Sequence, residues 1–361
     1  MTFRLSAIIT SLLILLFTSC QKRSAGTHGN IEVLKVNTSN TSTSLYEISK
    51  SNRTIKLETR NELIGQVRNL SHSDDFIFIS DAIQIFKYDH KGNFITSFGT
   101  KGQGPGEYTL LTSIAINANE KKIYGTSFNK LLVYDFDGVF LKEKVYSGIF
   151  DAVLALTDKT ALLKTEFGAP DASGKGKVNQ TILHILNSDL NVTDSMPVRS
   201  TQVINGSAAV LGFGIDFISN VNNQSFLYYP VVYREQISRD TLFSINNNQL
   251  SPTHKIDFGI NDRLKEKFLI SSIVRSRNYI LVSFIYNSVQ HQCLIDLRNK
   301  SFVTVKEGFE DTVFNTGKVK LRLWDEELDE FYFIKDAMEV HEVIDGLSQY
   351  DNPVISIVSL K

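Results

Sequence analysis

The feature that most constrains this chain is a turn that returns about every fifty residues. Ile85-Phe86-Lys87-Tyr88-Asp89-His90-Lys91-Gly92 and Leu131-Leu132-Val133-Tyr134-Asp135-Phe136-Asp137-Gly138 share one pattern, an apolar run, Tyr-Asp, two residues and Gly. A second apolar segment follows each, at Phe94-Ile95 and Phe140-Leu141. Asp accepts hydrogen bonds from nearby backbone and Gly tolerates positive φ, so Asp89 with Gly92 and Asp135 with Gly138 read as hairpin turns. Weaker copies carry Asn187, Asn246 and Asp296. The Asx positions 89, 135, 187, 246 and 296 are spaced by 46, 52, 59 and 50 residues.

A period of that size suits one four-stranded blade of a β-propeller. Apolar strands precede the turns at Phe76–Ser80, Lys122–Thr126, Thr160–Thr165, Ser225–Tyr229 and Tyr279–Tyr286. The last is almost continuously apolar, as a strand covered on both faces would be. Five turns define five blades, and the termini supply a sixth. Thr54–Glu58 resembles a fourth strand without its own blade, while Glu330–Ile334 and Pro353–Leu360 lack one. The N-terminal strand then closes the last blade and leaves no open edge. The expected fold is all-β, a six-bladed propeller of four-stranded antiparallel blades over residues 53–361. Asp336 and Glu339 form a capping-box pattern, which predicts one short helix over Ala337–Asp345.

Between the first two turn copies lies Gly99-Thr100-Lys101-Gly102-Gln103-Gly104-Pro105-Gly106-Glu107-Tyr108. A phosphate-binding loop would lead into a helix, whereas this one leads into the strand-like Leu110–Ile116. It reads as a crossover between blades, with Pro105-Gly106 at a turn, Glu107 accepting backbone hydrogen bonds and Tyr108 covering the seam. With the Tyr-Asp-x-x-Gly turns at Tyr88 and Tyr134 and the ending Asn352–Lys361, this stretch gives a family resemblance. The chain resembles the six-bladed β-propeller lipoproteins of Bacteroides and relatives, which are similar to NHL-repeat propellers. The resemblance implies a fold and an envelope location, and it carries no shared activity or catalytic residue.

The N-terminus reads as targeting. Arg4 precedes the apolar run Ala7–Phe17, eleven residues and too short to span a bilayer. Leu16-Phe17-Thr18-Ser19-Cys20 resembles the bacterial lipoprotein processing box. It implies a signal peptide over 1–19, lipidation of Cys20 and a membrane partner reached through the lipid, at the outer membrane. The polar run Asn37–Ser44 makes residues 20–52 a tether. Cys293, in an apolar strand, reads as a buried core thiol.

Formal net charge is −1 with no long basic run, which argues against nucleic acid as a partner, and the chain is expected to be a monomer. His72, His90, His184, His254, His291 and His341 show no metal-ligand spacing, and Asp135-Phe136-Asp137-Gly138 reads as a turn rather than a calcium loop. No cofactor, metal ligand or catalytic residue is assigned. The loop Gly168–Lys177 joins the second and third strands of its blade, on the face where propellers commonly take ligands. The favoured reading is therefore a non-catalytic binding or scaffold module for a protein, peptide or glycan at that loop face. The second is a lyase or hydrolase with a metal-assisted site at the axis, because separate blades can bring distant side chains together.

Overall fold

The computed structural model describes residues 31–171, 173–174, 176–202, 216–230, 239–260 and 267–361. Cys20 and the targeting segment lie outside the described residues. The architecture is all-β, with two one-turn helices among the described residues. The chain enters through β1 (Glu32–Lys35), α1 (Leu45–Ile48) and β2 (Ser49–Lys56). Sheet I holds β3 (Asn69–His72), β4 (Phe76–Ser80), β5 (Ile85–Asp89) and β6 (Phe94–Phe98). A short parallel pair, β7 (Thr100–Lys101) and β8 (Glu107–Tyr108), leads to sheet II: β9 (Ser113–Asn117), β10 (Lys122–Ser127), β11 (Lys130–Asp135) and β12 (Phe140–Val145). Sheet III has β13 (Ala152–Ala155), β14 (Thr160–Pro170), β15 (Lys177–Leu186) and β16 (Val192–Gln202). Sheet IV has β17 (Ile218–Val221), β18 (Gln224–Leu227), β19 (Thr241–Asn246) and β20 (Gln249–Asp257), with β1 added parallel to β20. Sheet V has β21 (Phe268–Arg275), β22 (Tyr279–Tyr286), β23 (Val289–Asp296) and β24 (Phe302–Lys306). The hairpin of β25 (Phe309–Glu310) and β26 (Lys318–Val319) precedes sheet VI: β27 (Arg322–Asp325), β28 (Glu330–Lys335), then α2 (Ala337–Val340) and β29 (Val354–Leu360). β2 is the fourth strand of sheet VI, antiparallel to β29 with Ile55 opposite Ile355.

Strand alternation explains how the sheets stack. Successive side chains point to opposite faces of a strand. In sheet I, Ile77, Ile79, Phe86 and Tyr88 join one apolar cluster while Phe78 and Ile85 join another. In β22, Ile280, Val282 and Phe284 face one cluster, and Tyr279 and Leu281 the other. The middle strands are thus covered on both sides, as their apolar runs require. Five of the six main clusters each draw on two sheets consecutive in the chain, and the sixth, holding Ile77, Phe86, Ile355 and Ile357, joins sheet VI to sheet I. Cys293 is fully buried between sheets IV and V, and burial raises its thiol to about 12.

Three expectations change. The segment expected as tether up to residue 52 is held on the domain from Ile31 onward. Leu34, Val36 and Leu45 are buried in clusters. The polar stretch between them packs because its backbone finds partners: Thr41 N donates to Thr304 O, Thr304 Oγ1 donates to Asn37 O, and Glu310 N donates to Thr43 O. Second, the helix expected over Ala337–Asp345 is only Ala337–Val340, with its capping box formed by Asp336 and Glu339. Val340, Val343 and Ile344 are β-branched and poor at continuing a helix; the chain proceeds in turns to Gly346 at φ 71°. Third, Asn246 ends β19 opposite Gln249, and the two-residue turn is Asn247-Asn248, with φ of 46° and 59°.

Candidate functional site

The other Asx positions all sit in the hairpin between the third and fourth strand of a sheet. Asp89 Oδ1 accepts from Lys91 N and Asn93 N, and Asp135 Oδ1 accepts from Asp137 N and Val139 N. Asn187 Oδ1 accepts from Asp189 N and Asn191 N, and Asp296 Oδ1 accepts from Arg298 N. Gly92 and Gly138 take φ of 88° and 83°. These residues build turns.

The glycine-rich stretch is likewise architectural. Glu107 Oε2 accepts from Gly104 N at 2.8 Å, and Gly102 leaves room for that carboxylate. Tyr108 is buried in the cluster shared by sheets I and II and donates to Ile83 O at 2.7 Å. A Cβ on Gly99, at φ 90°, would meet the Tyr108 hydroxyl. Pro105-Gly106 is fastened to sheet II, with Gly106 N donating to Glu143 Oε2 and Gly106 O accepting from Tyr134 Oη.

A meander of four antiparallel strands puts its connections at two ends. The entry from the preceding sheet and the second-to-third connection share one end, here the loop end; the other two turns share the opposite end. Like ends meet between sheets. Leu111 N donates to Ala82 O and Phe150 N to Phe128 O at the loop end, and Arg277 N donates to Glu326 O at the other. The loop end carries exposed apolar side chains: Leu63, Ile83, Phe128 and Ile149 on sheets I to III, and Met338, Val343 and Tyr350 on sheet VI. Gln84 Nε2 donates to Glu62 Oε2, which holds the Leu63 and Ile83 segments together. The hairpin of 168–177 projects from the same end; residues 172 and 175 lie outside the described residues.

Beside that hairpin, Asp151 Oδ2 accepts from Thr165 Oγ1 at 2.5 Å and from Tyr229 Oη at 3.1 Å. Arg199 lies 4.4 Å over the Tyr229 ring and its Nε donates to Thr181 Oγ1. Burial raises the Asp151 carboxyl to about 6, against the opposing pull of those hydroxyls and Arg199.

A cavity of about 430 Å³ is walled by the first strands of sheets I, II, III, IV and VI. Near the loop end, Arg322 grips Asp216 with two bonds, Nη2 to Oδ1 at 2.6 Å and Nε to Oδ2 at 3.1 Å. Near the opposite end, the His72 ring stacks on Trp324 at 4.3 Å, and its Nε2 lies 2.7 Å from Trp324 O. Glu326 Oε1 accepts from Asn220 N at 3.1 Å. Burial, with neighbouring Asp325 and Glu327, pushes the Glu326 carboxyl up to about 7, though that backbone hydrogen bond works the other way. Its folded pKa thus exceeds its ordinary 4.5, so the native state binds the proton more tightly and stability falls as pH rises from about 4.5 to 7. Glu326→Gln is expected to flatten that slope and to raise stability at pH 8 by on the order of 1 kcal/mol, given partial solvent access. Urea midpoints at pH 5 and pH 8 check it.

The remaining histidines have local roles. His90 Nε2 lies 2.8 Å from Ser73 O, His291 stacks on Phe284, His341 Nδ1 meets Met338 O, and His254 faces Glu32. His184 Nδ1 lies 2.8 Å from Ser195 Oγ, but the two are an exposed cross-strand pair on β15 and β16, away from the cavity. Among the described residues no group of three or more His, Cys, Asp or Glu side chains could hold a metal ion, and no helix is long and apolar enough to cross a membrane. Sequence reasoning missed Asp216, Arg322 and Glu326; the acidic run Asp325-Glu326-Glu327 was the one local signal.

No curated protein matches the chain. Among solved structures, a Bacteroides fragilis protein described as exported superposes with a TM-score of 0.69 at 17% identity, covering 91% of this chain and 99% of that one. The two share a fold. Weaker similarities are to the Neurospora crassa Pan2 WD40 domain, with a TM-score of 0.44 at 11% identity over 82% of this chain and 76% of that one, and to a Bacteroides caccae protein of unknown function, with a TM-score of 0.39 at 11% identity over 72% of this chain and 82% of that one. The profile of the family described as Domain of unknown function (DUF4934) matches residues 29–359, nearly the whole chain, and the protein belongs to that family.

Proposed function

We propose that this protein is a lipid-anchored cell-envelope β-propeller of six blades that binds a partner, most simply a protein, through its loop end without catalysing a reaction. The ring reading draws support from six sheets whose apolar clusters run in sequence from I to VI and back to I. The N-terminal strand β2 would be its clasp. The anchor reading rests on Leu16–Cys20 and fits the exported relative of the same fold. At the outer membrane, acylation would bury many CH₂ groups at roughly 0.8 kcal/mol each.

The observation that carries the binding reading is the apolar loop end. Leu63 is 63% exposed and Ile83 56% on segments joined by the Gln84–Glu62 bond, and Ile149, 59% exposed, adjoins the Phe128 segment through the bond from Phe150 N to Phe128 O, so these side chains come in neighbouring pairs rather than singly. On sheets I to III the aliphatic Leu63, Ile83 and Ile149 outnumber the aromatic Phe128, a mixture that suits a protein surface better than a sugar, which favours aromatic platforms. The test is capture from native membranes with the intact lipoprotein and with an Ile83→Asp/Phe128→Asp variant. A partner retained by the parent and reduced at least tenfold by the variant, at unchanged thermal stability, supports the reading; equal retention refutes it. For the anchor, Cys20→Ser is expected to abolish incorporation of labelled palmitate and to shift the protein from the membrane to the soluble fraction.

A further inference from the structure

A second cavity, about 800 Å³, is an open trough at the loop end between sheets V and VI. The β22–β23 turn at Ser288 to Gln290, the β26 segment and the end of β28 with α2 form its walls. Three lysines line it: Lys318 and Lys320 are exposed, and Lys335 is 6% exposed. Their ammonium groups are poorly matched. Lys335 Nζ donates to Thr316 O at 3.4 Å and stands 3.7 Å from Glu339 Oε1, so three donors share one long hydrogen bond and one long ion contact. A nearly buried ammonium is costly without a close anionic partner. Lys318 Nζ donates to Lys306 O and Lys320 Nζ to Gln290 Oε1, both uncharged acceptors. Glu307 also lines the trough and forms an ion pair with none of the three.

We propose that this trough binds an acidic, extended peptide segment belonging to the partner protein. Three ammonium groups face two carboxylates, Glu339 at 3.7 Å from Lys335 and Glu307 paired with none of them, and this net positive, loosely paired lining calls for anionic charge from outside. The trough is open and lies between segments of two sheets, with its lysines on separate segments, which suits a peptide laid across them. Phe333 is 3% exposed, so no aromatic face is offered for sugar stacking. No arginine is among its lining residues, so the bidentate fork that favours phosphate is missing. Met338, 69% exposed, sits on α2 at the rim. A protein covering Met338 and Val343 would bring its acidic stretch directly over Lys335. The proposal rests on the loop end being the binding face, and it adds the charge of what binds there.

The probe is a fluorescein-labelled nonapeptide of alternating Asp and Glu, followed by anisotropy with the full-length mature chain at low and at physiological salt. Saturable binding that weakens with salt is expected, reduced at least tenfold by Lys318→Glu/Lys320→Glu and unchanged by the control Lys91→Glu/Lys121→Glu on sheets I and II. Lys335→Met is expected to weaken binding as well, with its melting curve recorded alongside. No binding up to millimolar peptide, or equal weakening by the control, overturns the proposal. So does a sulfated polysaccharide or inorganic polyphosphate that competes at far lower concentration through the same lysines. Partner capture that survives Lys318→Glu/Lys320→Glu but is lost in Ile83→Asp/Phe128→Asp would sink the trough proposal and leave the loop-end reading standing.

Discussion

A chain that begins at Leu57, lacking β1, α1 and β2, is expected to show no cooperative unfolding transition. The removed segment ties three sheets together. β1 lies along β20 in sheet IV, Thr41 bonds Thr304 on the outer strand of sheet V, and β2 covers β29 in sheet VI. All seven residues of β29 are buried, so loss of β2 bares a long apolar strand edge. Leu34, Val36, Leu45 and Ile55 leave their clusters at the same time. Emptying one such site costs about 2–5 kcal/mol, and the whole stability of a domain is about 5–15 kcal/mol. Thermal melts by circular dichroism read the outcome. A chain beginning at Asn30 keeps the strap and should melt as the full mature protein does. A cooperative melt within a few degrees of the parent for the shorter chain would mean that the strap is dispensable.

The second large effect concerns one turn. Gly92→Ala should destabilise by roughly 2–4 kcal/mol, more than Gly138→Ala at the equivalent turn, for which about 1–2 kcal/mol is expected. The two glycines have φ of 88° and 83°, so backbone strain is common to both. Their neighbours differ. A Cβ on Gly92 would lie 2.0 Å from Lys56 O, a backbone atom of β2, whereas the nearest atoms to a Cβ on Gly138 belong to the Phe98 side chain, its ring at 2.7 Å and its own Cβ at 2.9 Å. A ring can turn aside; the backbone of β2 is held by its ladder to β29 and by the hydrogen bond from Glu58 N to Gly92 O. Denaturant midpoints for the two variants test the order. Equal losses would mean that the turn of sheet I does not bear on the end of β2.

The repeat was legible because each turn is local: Asp89, Asp135, Asn187 and Asp296 bond amides two to four residues away, and that chemistry leaves a spacing in the sequence. The strand Tyr279–Tyr286 was legible with its bounds because burial on both faces produces a continuous apolar run. The strap was read as a tether for the opposite reason. Its polar residues are held by backbone bonds to Thr304 and Glu310, more than 250 positions away, which no local pattern encodes. The cavity drew even less notice. Its walls come from segments near positions 70, 115, 153, 218 and 324, each an ordinary strand by itself. Asp216 and Arg322 meet across 106 residues, and Gln290, Lys320 and Lys335 share the trough from two different sheets. The glycine-rich stretch was visible for its composition, yet its glycines serve the close packing of Tyr108, Glu107 and Phe140.

Binding is proposed to lie at the loop end of the stacked sheets. Site-specific photo-crosslinking in intact cells tests it most directly, with a photoreactive side chain placed in turn at Ile83 and Phe128 on the loop end and at Val139 and Leu328 on the opposite turns. All four are exposed large hydrophobic residues, so the substitutions are comparable. A discrete adduct of one size is expected from Ile83 and Phe128 and none from Val139 or Leu328. Adducts confined to Val139 and Leu328, or equal from all four positions, would contradict it.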